Sequence, residues 1–195
     1  MVAAVNLMKP LFRSQKYEIP KLRVACGWPS RGGTSAAKRS LGQCWSEEAA
    51  ADGLHQIFVS PFCEDKDAYG VLPVLVHEVV HAVVGIEAKH GKVFRKCAEA
   101  VGLTGKMTST VPGDVLQVKI AEWQQILGPY PHAKLDPAQS PVKKQTTRMI
   151  KMTCKHDECG YVARTAKKWL DEVGVLHCPK HGEMTVDGAK EAEDE

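Results

Sequence analysis

The spacing of apolar residues changes several times along the chain, and each change marks a different kind of element. Between residues 21 and 60 the apolar runs are short and broken by turn residues. KLRVACGW ends at PSRGGTS and SLGQCWS follows; GLHQIFVSPF then alternates, with His55, Ile57 and Val59 on one side and Gln56, Phe58 and Ser60 on the other. Three short strands are expected there. The run VLPVLVHEVVHAVVG over 71–85 is nearly continuous, which fits a buried helix. Pro73 lacks an amide hydrogen and is tolerated in a first turn, so this helix starts no earlier than about Tyr69 and stops at Gly85. Over 92–101 the period is helical: Val93, Phe94, Cys97, Ala98 and Val101 form a stripe opposite Lys92, Arg95, Lys96 and Glu99, with Gly102 as the stop. A further helix is expected over 114–127, with Asp114 as N-cap and Leu116, Ile120, Trp123 and Leu127 on one face, closed by GPYP. Strands leading into helices read as an α+β domain.

Beyond residue 127 the periodicity is lost. Pro129, Pro131, Pro137 and Pro141 stand among polar residues over 128–148, which reads as a linker. Residues 149–186 hold cysteines and histidines but few apolar side chains, and 187–195 is acidic with nothing to bury. The expected organisation is an N-terminal extension (1–20), a main domain (21–127), the linker, a second small domain (149–186) and a disordered acidic tail (187–195).

Composition narrows the class. With 195 residues, 44% hydrophobic and 25% charged, the chain is neither collagen-like, fully disordered nor a multi-pass membrane protein. A net charge of +3 does not by itself announce a nucleic-acid binder, but its distribution is uneven. Lys and Arg outnumber Asp and Glu by 8 to 2 over 140–170, and the ratio is 2 to 8 over 171–195. The start, MVAAVNLMKPLFR, lacks the basic head and long apolar run of a secretory signal, and the 71–85 run is too short and too polar at its centre to span a bilayer. A cytoplasmic protein without a membrane segment is expected. Seven cysteines form no even framework, so reduced thiols or metal ligands are expected rather than disulfides. Cys97 reads as a buried thiol, and Cys26, Cys44 and Cys63 have no close-spaced partner.

His77-Glu78-Val79-Val80-His81 is H-E-x-x-H within the expected helix. Residues four apart share a helix face, so both imidazoles can converge on one ion, with Glu78 beside it as general base for a metal-activated water. Val84 and Glu87 occupy the positions where metzincins carry Gly and His, so that class does not fit. His90, at the mouth of the next helix and followed by Gly91 and Phe94, is the favoured third ligand; Glu99 is the other candidate, although it falls on the polar face. A second cluster, Cys154-x4-Cys159 and Cys178-x2-His181, reads as the two knuckles of a zinc ribbon, with His156 an alternative to His181. Two Zn²⁺ ions are expected, one catalytic and one structural. Lys151, Arg164, Lys167, Lys168 and Trp169 mix cations with an aromatic ring, the chemistry that single-stranded DNA requires.

The stretch HEVVHAVVGIEAKHGKVFRKCAEAVGL resembles the SprT-like family of zinc metallopeptidases. VACGWPS, GQCWS, IFVSPF and LGPYPHAKLD are similar to SprT-like proteins encoded by tailed bacteriophages. The resemblance runs over about 20–182. It implies a small zincin-like fold with a short sheet packed on the active-site helix, a protein or peptide substrate whose backbone pairs with an edge strand, and, from Spartan-related members, substrates attached to DNA. Ribbons of the family usually carry C-x2-C knuckles, from which the spacing here departs. Tyr69, His55, Tyr130 and His132 are unranked candidates for stabilising the oxyanion. The alternative expectation is a non-catalytic nucleic-acid-binding or adaptor protein of a phage, with both zinc sites architectural.

Overall fold

The alternating segment His55–Val59 lies at the centre of a three-stranded sheet, because both of its edges find partners. A computed structural model describes residues 1–64, 70–140 and 149–187; Tyr69, the second part of the expected linker (141–148) and the acidic tail from 188 onward lie outside the described residues. The chain divides into two compact units, Met1–Ser140 and Pro141–Glu195. No helix among the described residues is long and apolar enough to cross a membrane.

In the first unit, helix α1 (Val2–Ser14) precedes strands β1 (Leu22–Cys26), β2 (Gly42–Trp45) and β3 (His55–Val59). The sheet order is β1-β3-β2. β1 runs parallel to β3, with Val24 opposite Ile57, and β2 runs antiparallel to it, with Cys44 opposite Ile57. β2 is therefore an edge strand. Helix α2 (Val71–Val84) packs on β2 and β3, with Leu75, Val76, Val79 and Val80 fully buried. Pro73 sits in its first turn, and Gly85 ends it at φ +86°, a conformation that side-chain-bearing residues adopt only with strain.

Helix α3 (Lys92–Ala100) packs on α2 through Phe94, Cys97 and Ala98. A hairpin of β4 (Leu103–Lys106) and β5 (Ser109–Pro112) follows, then α4 (Asp114–Leu127), which buries Leu116, Ile120 and Trp123. Gly113 holds the N-cap position and Asp114 the first turn, where its charge still favours the positive end of the helix dipole. The hairpin has no counterpart in the sequence reading. Nor is the segment before residue 21 an appendage: Ala4, Val5, Met8 and Phe12 of α1 are buried in the same core as α2.

The second unit is a four-stranded antiparallel sheet of β6 (Ile150–Cys154), β7 (Val162–Thr165), β8 (His177–Cys178) and β9 (Gly182–Val186), in the order β7-β6-β9-β8. A short helix α5 (Lys167–Val173) lies between β7 and β8. Its interior consists of Met152 and Met184 with Cys154 and Cys178. Mixed α+β architecture describes the chain as a whole.

Candidate metal centre and cleft

Helix α2 carries His77 and His81 one turn apart, so both rings leave the same side. The turn after α2 brings His90 back to meet them. Nε2 of His90 lies 3.2 Å from Nε2 of His77 and 3.3 Å from Nε2 of His81. Tetrahedral coordination with metal–nitrogen bonds of about 2.0–2.1 Å sets ligand atoms roughly 3.3–3.4 Å apart, so these spacings fit one ion. Phe94 supports all three rings, with centroids 4.9, 4.4 and 5.0 Å from those of His77, His81 and His90. Glu99, the other candidate ligand, is paired with Arg95 at 3.3 Å on the outer face of α3.

Burial, and then the neighbouring rings, push His77 down to about 3 and His81 down to about 4; burial also lowers His90. All three imidazoles are neutral at pH 7. His77 Nδ1 lies 2.9 Å from Thr110 Oγ1, which fits Nδ1–H donating to the hydroxyl and leaves Nε2 unprotonated. Three lone pairs thus face one point, an arrangement a cation satisfies. Thr110 is buried on β5, 33 residues from His77, and nothing in the sequence signals its part.

Glu78, the next residue along α2 from His77, reaches toward β2 while lining the same cleft. It is 6% exposed, and burial pushes its carboxyl up to about 8, an effect partly offset by the backbone N–H of Cys44 donating to it. A nearby dication favours the ionised carboxylate. Gly42 makes room for the side chain: a β-carbon there would stand 2.5 Å from Oε1 and 2.7 Å from Cγ of Glu78. Cys44 lies alongside, its thiol pushed up to about 12 by burial and then by Glu78, so it stays protonated. Cys97 is likewise a buried thiol, pushed up to about 12 by burial.

His77, His81, His90, Thr110, Glu78, Gly42 and Cys44 line one open cleft of about 1010 Å³. Of the four oxyanion candidates, His55, Tyr130 and His132 do not line it, and Tyr69 is outside the described residues. His55 instead lies 3.3 Å from the carbonyl of Trp45, and the Tyr130 and His132 rings contact each other.

One more departure sits beside the histidines. Lys89 has φ +47° and ψ −126°, and the Gly91 N–H donates to the Ala88 carbonyl at 3.0 Å. Those values match the second residue of a type II′ turn, a position glycine takes freely and other residues occupy at a cost of about 1–3 kcal/mol.

In the second unit, Cys154, Cys159, Cys178 and His181 converge, their ligand atoms all within 4.8 Å of one another. Cys154 Sγ lies 3.4 Å from His181 Nδ1, Cys178 Sγ 3.8 Å from the same nitrogen, and Cys159 Sγ 3.8 Å from Cys178 Sγ. Metal–sulfur bonds of about 2.3 Å give tetrahedral edges of roughly 3.8 Å, so this set also fits a metal ion, and with every position filled by protein. His156 stacks on His181 at 4.5 Å rather than joining the set.

The basic groups of this unit mostly face its own acids. Lys151 pairs with Asp187 at 2.6 Å, Lys155 with Glu183 at 2.9 Å, Lys167 with Asp171 at 2.9 Å and Lys168 with Glu172 at 3.8 Å. Arg164 has no ion pair within 4 Å among the described residues. Trp169 is 51% and Tyr161 42% exposed, with the Lys168 ammonium 4.9 Å from the Trp169 ring.

A scan against protein-family models, a search of curated proteins and a search of solved structures found no match for this chain.

Proposed function

We propose that the chain is a zinc-dependent endopeptidase of SprT-like type, with the first unit a small zincin-like domain and the second a zinc ribbon. One observation carries this reading: three neutral imidazole nitrogens converge at 3.2–3.3 Å on the wall of an open cleft that also holds a buried carboxylate from the same helix. A purely structural site is closed by four protein ligands, as in the second unit, and has no use for a carboxylate beside it.

In this reading His77, His81 and His90 hold the ion, and Thr110 fixes the ring of His77. Zinc, when bound, supplies Lewis acidity that acidifies water and polarises a carbonyl. Glu78 takes the proton of the attacking water and gives it to the leaving amine. Its depth under Gly42 keeps bulk water from competing for that proton. The substrate's backbone extends along the edge strand β2, as the family resemblance implies. A reducing cytoplasm, that of a host if a phage encodes the chain, suits its thiols and the metal-ligating cysteines of the second unit.

Action on DNA-attached proteins belongs to the same proposal, with Trp169, Tyr161 and Arg164 as the ribbon groups left open for single strands. The non-catalytic adaptor has less support, since it leaves Glu78 and the open ligand position without a role.

The deciding experiment compares wild type, Glu78→Gln and His81→Ala for zinc content and for cleavage of an unfolded protein substrate, with and without single-stranded DNA. Glu78→Gln should keep its zinc and lose activity by a factor on the order of 10²–10⁴. His81→Ala should lose both zinc and activity. Full activity in Glu78→Gln would overturn the proposed role.

A further inference from the structure

The cleft that holds the three histidines is lined by Arg31, Lys38, Arg39, Lys89 and Lys106, from three separate stretches of chain, while among the described residues its one lining carboxylate is the buried Glu78. Elsewhere on the same unit Arg13, Arg23, Arg95, Lys119 and Lys134 each pair with a carboxylate, while among the described residues Lys9, Lys16, Lys21, Lys92 and Lys96 do not, so what sets the cleft apart is the gathering of its cations in one concavity. Among the described residues Arg31, Lys38, Lys89 and Lys106 pair with none. Arg39 is held over the Phe62 ring at 3.6 Å, with its Nε donating to the Ser35 carbonyl, so its charge is fixed in place. Lys89 adds a second, independent observation: it occupies a backbone position that glycine would fill without strain. A lysine at such a backbone position, beside the cleft, points to a use for its ammonium.

We propose that this cationic cleft recognises peptide segments carrying Asp or Glu on either side of the bond to be cleaved. The inference rests on the peptidase reading and names its substrate class. Two features favour an acidic peptide over a nucleic acid. Among the described residues no Phe, Tyr or Trp lines the cleft, so apart from the three histidines no ring there offers bases a stacking platform. And the cations surround a concavity beside an edge strand, where an extended peptide would place successive side chains to alternate sides. The carboxylates of such a peptide meet free ammonium groups; the buried Glu78 lies below, out of their way.

The test has two arms. In the first, zinc-loaded wild type cleaves a mixed peptide library; the proposal expects Asp and Glu enriched within a few residues of the cut. In the second, Glu78→Gln is titrated with fluorescent peptides that differ only by Asp/Glu against Asn/Gln. Acidic peptides should bind about tenfold tighter, with the difference shrinking as salt rises. Lys38→Gln with Lys106→Gln should reduce the preference severalfold. Lys89→Gly should reduce it while raising Tm, a combination that a purely structural lysine would not give.

Cleavage without acidic enrichment overturns the proposal and leaves the peptidase reading standing. Selective binding without any cleavage by wild type does the reverse, supporting the acidic recognition and sinking the peptidase. Tighter binding of an oligonucleotide than of a peptide of equal charge overturns the proposal in favour of a nucleic acid.

Discussion

Thr110 Oγ1 lies 2.9 Å from Nδ1 of His77, so a hairpin strand far along the chain sets which nitrogen of that ring faces the other two histidines. Replacing Thr110 with Val keeps the shape but leaves a buried N–H without its acceptor. Metal affinity should fall about 10–100-fold, as for other groups that orient metal ligands. Competition with a chelator of known affinity measures this, and Thr110→Ser should restore most of it. Unchanged affinity in Thr110→Val would mean that the ring is held by Phe94 alone.

Gly42 makes an equally specific prediction. An added methyl would occupy the space of the Glu78 carboxylate, which must then swing out of its place. Gly42→Ala should retain zinc and lower kcat by a factor on the order of 10², the scale of a misplaced catalytic group. Steady-state kinetics beside metal analysis separates this from loss of the ion.

The metal-free first unit should be most stable near about pH 6–6.5. Free imidazoles titrate at 6.5, whereas folded His77 and His81 do so at about 3 and about 4. Below 6.5 the unfolded chain therefore binds the extra protons, and stability falls with pH. Glu78 acts in the opposite sense: its ordinary value is 4.5 and its folded value about 8, so the folded chain holds a proton that the unfolded chain has released, and stability falls as pH rises between them. Below 6.5 the histidines outweigh the one carboxyl; above it Glu78 acts alone. Thermal unfolding in chelator across pH 4.5–8 checks the sign on each side.

The second unit should not survive chelation. Two methionines and two cysteines make up its buried interior, too little to offset the ordering of the chain. Structural zinc supplies about 10–16 kcal/mol in comparable small domains. Amide spectra should show residues 150–186 collapsing to unfolded positions on chelation or in Cys178→Ala, while the aliphatic core around α2 persists. A unit that stays folded without metal would make its four ligands incidental.

How far the sequence foretells all this depends on whether the determining contacts are local. His77, Glu78 and His81 lie on one helix whose period is plain, and His90 is marked by the Gly91 and Phe94 that follow it. The β4–β5 hairpin is not marked: Thr104, Gly105 and Lys106 are exposed, and LTGKMTSTVP does not alternate. Thr110 was unreadable for the same reason. Helix α1 carries a usable stripe in Ala4, Val5, Met8 and Phe12, but Lys9-Pro10 interrupts it and masks the signal. The run of cations over 140–170 suggests an open basic surface, yet Lys151 meets Asp187 and Lys155 meets Glu183, partners some thirty residues away that only the folded sheet brings close.

Helix α2 is buried on nearly every side, so its amides should exchange with solvent more slowly than any others in the first unit. His77, His81 and Glu78 are thus mounted on the stiffest part of the first unit, while His90 sits on the turn that follows. Whatever adaptation different substrates demand must come from the edge of β2 and the turn at 86–91, so amide exchange slowed by a bound peptide should appear there first and leave α2 unchanged.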